Sequence, residues 1–497
     1  MKLKQIILAL LIFVAPLTAV GVESLRLAKI FSDCMVLQQQ TSAPIWGWAK
    51  PLAKVSVKTS WNSRSYTVKA NKDGAWRIAV ETPSYGGPYS IKVSCGKENL
   101  ELKDVLIGEV WVCSGQSNME MPISGFVRYN QPVNESLESC TKAINYGDRI
   151  RMFTVPKRMV DEAPAEDLLA GEWKRASFES CAECSAIAYF FAEYVNDALQ
   201  IPVGVIVSAW GGTSIRPWMP RDCHKATLGD LLAKGVITEE MYNYRTSELA
   251  PGRKGYPQNA GTLYNGMIHP IRGYAARGFL WYQGCSNKKD FTFYNRLQAA
   301  MVARWRADWG DNEAKMPFYY VLIAPFAKRE NTYMRGYFIE NQSSAAKIIP
   351  NCKFASAETY GSKECIHPAD KRPISRQLAM FAMNDLYSIK GINAGVPEIV
   401  NIKLENRKYT VEFAPGKGLM TPPYEAVTGF EVAGEDRVFH PAKAKLLGDK
   451  IVVAVPKEVT EPHSLRYSFR DYDVGNVRSR FGFPLIPFRT DKWEYQK

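Results

Sequence analysis

Hydrophobic and polar positions follow two different rhythms along this chain. Between about residues 25 and 104, runs such as SAPIWGWAKP, KVSVKTSW, GAWRIAVET and YSIKVSC alternate with period two and are broken by Gly, Pro and Asn-Lys-Asp-Gly. Successive side chains of a strand point to opposite faces, so this pattern predicts an all-β, sandwich-like module over residues 22–104. From residue 105 the pattern changes. VLIGEVWVC (105–113), VGVIVSAW (203–210), GFLWYQG (278–284), PFYYVLIAPF (317–326) and CKFASAE (352–358) are nearly continuous apolar runs. Such runs mark strands buried on both faces of a parallel sheet. Between them, SAIAYFFAEYVNDALQ (185–200) places Ile187, Phe190 or Phe191, Tyr194 and Ala198 on one helical face. Further helices are predicted at 294–305, near 337–347 and over 372–386. Buried strands alternating with helices predict a doubly wound α/β domain over 105–391. Period two returns after 392 in EIVNIKLENRKYTVEFA, VTGFEVAG, KIVVAVP and LRYSFRDY, predicting a C-terminal β module over 392–497.

Composition narrows the class. A chain of 497 residues that is 46% hydrophobic and 12% aromatic has enough apolar material for two or three cores and excludes wholesale disorder. Residues 1–21 read as a secretory signal peptide: Lys2 and Lys4, the apolar run IILALLIFV, then Ala19-Val20-Gly21. That run is short for a membrane span, and no later stretch is long and apolar enough to be one. The expected location is therefore secreted or periplasmic. The formal net charge of +13 favours anionic substrates or surfaces, yet the basic residues are scattered, which argues against a nucleic-acid partner. Ten cysteines lack any repeated spacing. The lone CxxC, Cys181-Ala-Glu-Cys184, has no second pair or nearby histidine and reads as a local disulfide or two unrelated thiols. No metal or cofactor is expected, and the oligomeric state is left open.

In an open α/β sheet, ligands bind beyond the carboxyl ends of the strands. Three predicted strands end in polar groups: Gly115-Gln116-Ser117-Asn118, Gly211-Gly212-Thr213, and Gln283-Gly284-Cys285-Ser286-Asn287. A fourth polar block, Glu364-Cys365-Ile366-His367-Pro368, lies in the last loop before the final helix. These parts suit nucleophilic catalysis. Ser117 sits at a strand-to-helix turn that exposes its Oγ. Gly211 and Gly212 let a backbone N–H approach a reacting oxygen, and Gln283 can add an amide N–H; with the Ser117 N–H these form an oxyanion hole. His367 can take the serine proton, and Glu364 can orient the imidazole.

The sequence resembles the sialate O-acetylesterase family of the SGNH-hydrolase superfamily. The resemblance is carried by GQSNMEMP (115–122), Gly211-Gly212-Thr213, WYQGCSN (281–287) and Ile366-His367-Pro368, with further likeness in the N- and C-terminal segments. It implies a flavodoxin-like three-layer catalytic domain flanked by β-sandwich-like domains. It also implies metal-independent removal of O-acetyl groups from sugars, O-acetylated sialic acids foremost, through an acetyl-Ser intermediate. By this resemblance Ser117 is the nucleophile, His367 the base, and Ser117, Gly211 or Gly212 and Gln283 the oxyanion donors. Asn118, Arg216 and Asn287 are candidate substrate contacts, each with a structural reading beside it.

The chain departs from the family pattern at Cys285 and Cys365, where relatives carry acidic residues. Glu364 is then the expected acid, Glu358 the reserve, and an acid-free Ser-His pair the third option. His269, which also precedes a proline, is a weaker candidate base; His224, His440 and His463 read as surface or loop residues. Trp111, Trp210, Trp281 and Tyr282 read as core before sugar platforms. Acetyl xylan is the alternative substrate, and a non-catalytic sugar-binding protein the alternative class.

Overall fold

The computed structural model describes residues 24–247, 257–328 and 330–496. The expected leader lies outside them. Among the described residues no helix is long and apolar enough to cross a membrane.

One strand organises the molecule. Glu98–Gly115 runs without a break through the expected boundary at 104/105. Its first half pairs antiparallel with Gly86–Cys95 and its second half is the central strand of the α/β sheet. The reason is in its side chains: residues 98–104 alternate between exposed and covered, whereas nearly every residue from 105 to 115 is buried.

The sheet runs in the order Trp173–Arg175, Ile150–Thr154, Val203–Ala209, Glu98–Gly115, Gly278–Tyr282, Phe318–Leu322, Cys352–Ser356. All its neighbours are parallel except the edge strand Trp173–Arg175. Apart from the edge pair at 150–154 and 173–175, the order is the 2-1-3-4-5 of flavodoxin-like folds. Strands from the N-terminal segment pair onto the same sheet through Glu98–Gly115, giving eleven strands in all. The whole is a mixed α/β fold with one large sheet.

The two faces carry two cores. Trp111, Cys113, Val205, Val207, Leu280 and Tyr282 pack with helices Ala186–Leu199 and Arg372–Asp385. Val110, Val112, Ile206, Phe279 and Trp281 pack on the other face with Arg221–Ala233, Tyr294–Asp308 and Met334–Ile348. Alternate residues of each strand thus serve opposite cores, as a doubly covered sheet requires. The C-terminal segment forms two four-stranded sheets and a two-stranded ribbon around its own core.

The helix Arg221–Ala233 was not legible in the sequence, because it is weakly amphipathic. It corrects the reading of His224, which is buried on that helix rather than placed on a loop. His440 and His463 are only partly covered, as expected.

Candidate active site

The three central strands end in register. Gly115 pairs with Ala209 on one side and with Tyr282 on the other, so Ser117, the Gly211-Gly212-Thr213 turn and Gln283 all emerge along one line. Chain order reverses across this point, which is where an α/β sheet opens a crevice. The turn depends on glycine at its start: Gly115 has φ of +145°, and a Cβ there would lie 2.3 Å from the Tyr282 carbonyl oxygen. Gln116 fastens the turn, its N–H donating to Tyr282 O (3.0 Å) and its Oε1 accepting from the Gly284 N–H (3.1 Å). Ser117 then opens the short helix Ser117–Glu120, so its N–H is one of the first-turn donors that the helix cannot itself satisfy.

His367 arrives from the far loop. Its Nε2 lies 2.8 Å from Ser117 Oγ. Its Nδ1 lies 2.7 Å from Gln131 Oε1, so Nδ1–H donates to the amide and Nε2 is left to accept the serine proton. Phe126 packs edge-on to the imidazole at 5.2 Å. Burial, followed by the charge of Lys371, pulls the His367 pKa down to about 4, which keeps the imidazole neutral near pH 7.

Gln131 and Phe126 belong to one small hairpin, joined by an antiparallel bridge between them. That hairpin is zipped to the histidine loop: the Asn134 N–H donates to Ala369 O at 3.0 Å, and the Asn134 side-chain amide bonds Asp370. Asn118 supplies a second tie, donating from Nδ2 to Ile366 O at 3.1 Å and accepting from Lys371 Nζ on Oδ1. Lys371 is fully buried, and burial pulls its pKa down to about 7. The Cys285 and Cys365 thiols are its electrostatic neighbours. Burial in turn pushes the Cys285 thiol up to about 11.

Several expected roles are corrected by these contacts. Glu364 is exposed, and Gln131 occupies the nitrogen it was expected to orient. Glu358 is buried against Arg335, which also donates to Ser468 O and Arg470 O of the C-terminal segment. Burial pushes the Glu358 pKa up to about 7 against the pull of Arg335. Gln283 is wholly buried, with Nε2 bonded to Thr213 O (3.1 Å) and Asn287 Oδ1 (2.8 Å), so its donors brace the Gly-Gly-Thr turn. The Asn287 amide is likewise internal, accepting from the Ile215 N–H and donating to Asp290. Asn118 is buried between the nucleophile turn and the histidine loop rather than open to substrate. Arg216 donates to Ser247 O.

Gly211 does approach the nucleophile, since a Cβ on it would lie 3.2 Å from Ser117 Cβ. Its N–H, however, donates to Glu120 Oε2, and Glu120 also pairs with Lys157. His269 is engaged elsewhere, with Nδ1 3.0 Å from Ala165 O, while Ser117 Oγ faces His367. Trp111, Trp281 and Tyr282 are core residues, and Trp210 is half-buried with Lys157 over its ring. Among the described residues no group of three His, Cys, Asp or Glu side chains is placed to hold a metal ion.

Sequence reasoning missed Gln131, Phe126 and Lys371. A glutamine in a loop and a lysine four residues after a histidine carry no local signature. Glu120 lies within the GQSNME run, where sequence alone marks it as a neighbour of the nucleophile.

Residues 107–372 match the family model for a carbohydrate esterase, sialic acid-specific acetylesterase. The sialate O-acetylesterase of Mus musculus is 28% identical over 430 residues, covering 76% of each chain. That of Homo sapiens is 28% identical over 415 residues, covering 76% of this chain and 74% of the human one. Among solved structures, a carbohydrate acetylesterase from Xanthomonas citri superposes with a TM-score of 0.80 at 31% identity, over 94% of this chain and 100% of that one.

Proposed function

Because this chain belongs to the sialic acid-specific acetylesterase family of carbohydrate esterases and is thereby a carboxylic ester hydrolase, we propose that it removes O-acetyl groups from sialic acids through an acetyl-Ser117 intermediate. The 2.8 Å contact between Ser117 Oγ and His367 Nε2 is the observation that carries this reading. His367 takes the serine proton as Oγ attacks the acetyl carbonyl carbon. The tetrahedral oxyanion is met by the backbone N–H groups of Ser117 and Gly212, framed by Gly211 and by the turn that Gln283 braces. The imidazolium returns the proton to the departing sugar oxygen. Water, deprotonated by the same imidazole, then attacks the acetyl-Ser carbonyl, and the imidazolium returns that proton to Ser117 Oγ as the C–Oγ bond breaks and acetate leaves.

Gln131 acts here as a neutral orienting group. An amide fixes the imidazole tautomer as a carboxylate would, without stabilising the imidazolium as strongly. The division into a leader (1–21), an N-terminal β-sandwich-like module (22–104), a three-layer catalytic unit (105–391) and a C-terminal β-sandwich-like module (392–497) belongs to the same proposal. So does export, which rests on the N-terminal sequence.

Ser117→Ala should abolish acetate release from O-acetylated sialosides and from a generic acetyl ester while circular dichroism stays unchanged. Retained turnover would refute the nucleophile. Acetate release from xylan alone, with none from sialosides, would transfer the activity to plant polysaccharide. Failure of an organophosphate to label Ser117 would favour the non-catalytic reading.

A further inference from the structure

A cavity of about 540 Å³ lies against the N-terminal segment, and none of its lining residues belongs to the Ser117–His367 site. Its walls come from the strands Ser42–Trp48 and Ala75–Glu81 and from the loop at 269–272. That loop lies between the Met267 carbonyl, which accepts from Ser208 Oγ, and the strand Gly278–Tyr282.

The lining combines aromatic surface with cationic donors. Trp46, Trp48 and Trp76 contribute indoles. Trp76 is 3% exposed, and its Nε1 has no hydrogen-bond partner. Arg77 lies over the Trp46 ring at 4.6 Å and donates from Nη2 to Gly273 O at 3.1 Å. Gly273 has φ of +72°, and a Cβ there would lie 2.2 Å from Nη2, so glycine makes room for this guanidinium. Arg272 lines the same cavity, close enough that its charge joins burial in lowering the Arg77 pKa. The carboxylate nearest Arg272, Glu166, stands 3.9 Å away, longer than a direct hydrogen bond. The cavity also holds two carboxylates, Glu166 and Asp73, but neither makes a direct hydrogen bond to the arginine pair, so a ligand carboxylate between the guanidinium groups gains contacts that the protein does not supply. Of the three indoles only Trp48 is not buried; Arg26 lies 3.8 Å over its ring, which leaves its remaining surface for the apolar face of a pyranose, and Asn71 and Asp73 provide polar groups for hydroxyls.

We propose that this cavity is a second, non-catalytic carbohydrate site that takes a sugar bearing a carboxylate. The choice of sialic acid as that sugar rests on the function proposed above, whereas the cavity and its arginine pair do not. Such a site would hold a glycan chain while its acetyl groups are processed at Ser117.

The test is calorimetric titration of the full-length protein, with Ser117 blocked by an organophosphonate, against sialyllactose and against lactose. Saturable binding of sialyllactose, about tenfold tighter than lactose, is expected, and Arg77→Met or Trp48→Ala should each weaken it about tenfold with the fold intact. Arg77→Lys should recover part of the loss, and hydrolysis of a small acetyl ester should not change in any of the three. Absence of saturable binding would overturn the proposal. So would binding indifferent to Arg77→Met in a folded protein, or equal affinity for lactose. If the enzyme deacetylates xylan alone yet still binds sialyllactose through Arg77, the substrate reading falls and the second site stands.

Discussion

Ser117 and His367 lie 250 residues apart, and the two sides of the crevice that they represent are held differently. On the serine side, position follows from sheet register. Gly115, Ala209 and Tyr282 share one line of pairing, so the three turns beyond them meet whatever the side chains do. On the histidine side no strand pairing sets the position. His367 is placed by Gln131, by the packing of Phe126 and by the tie from Lys371 through Asn118 to the Ile366 carbonyl. The serine side should therefore tolerate loss of a side-chain contact, and the histidine side should not.

The largest effect should come from His367→Ala. Removing the base should lower kcat by about 10³-fold or more with Tm little changed, since a triad member acts as part of a unit. Retention of more than a tenth of the activity would mean that another group accepts the Ser117 proton.

Gln131→Leu comes next. Loss of the orienting amide should lower kcat roughly ten- to a hundredfold, less than the ~10⁴-fold associated with loss of a carboxylate orienter. Gln131→Glu should instead keep activity and raise the acid limb of the pH profile, because a carboxylate stabilises the imidazolium. Glu364→Gln should leave both parameters unchanged, and a tenfold loss there would return the orienting role to that residue.

Lys371→Met sharpens the comparison through pH. His367 must be neutral to act, so kcat/KM should rise through about pH 4 and then level. Burial contributes most of that low pKa and the Lys371 charge the remainder, so the limb should move upward in the variant. Stability gives a separate readout. Folded Lys371 releases its proton near 7, whereas in the unfolded chain it does so near 10.4. The unfolded state holds more protons between these values, so this residue makes stability increase with rising pH across that window. The increase should be absent in Lys371→Met, as chemical denaturation at pH 7 and pH 10 would show.

The smallest effect on catalysis should come from Glu358→Gln. It breaks the buried pair with Arg335 that joins the catalytic sheet to the C-terminal segment, so Tm should fall. Activity at 25 °C should stay within about twofold, as is usual for changes remote from reacting groups. A large fall in kcat with Tm unchanged would bring Glu358 back as the acid.

Much of the fold was legible because buried strands and amphipathic helices announce themselves through local periodicity. The five long apolar runs became the five central parallel strands, and the helix predicted over 185–200 spans Ala186–Leu199. The boundary at 104/105 was drawn where the apolar pattern changes, but a backbone can keep pairing while its environment changes, as Glu98–Gly115 does. Helix Arg221–Ala233 escaped notice because its polar and apolar faces are poorly separated.

By itself the sequence determined where strands end and which turns carry Ser117, the paired glycines and His367, since those properties depend on neighbouring residues along the chain. Tertiary structure alone decided what each group faces. It set Gln131 rather than Glu364 behind the imidazole and turned Gln283 and Asn287 inward as braces. It also buried Lys371 between the two halves of the site. Hydrogen-bond partners across loops depend on angstrom-scale packing between distant segments, and no periodicity within either segment encodes that distance.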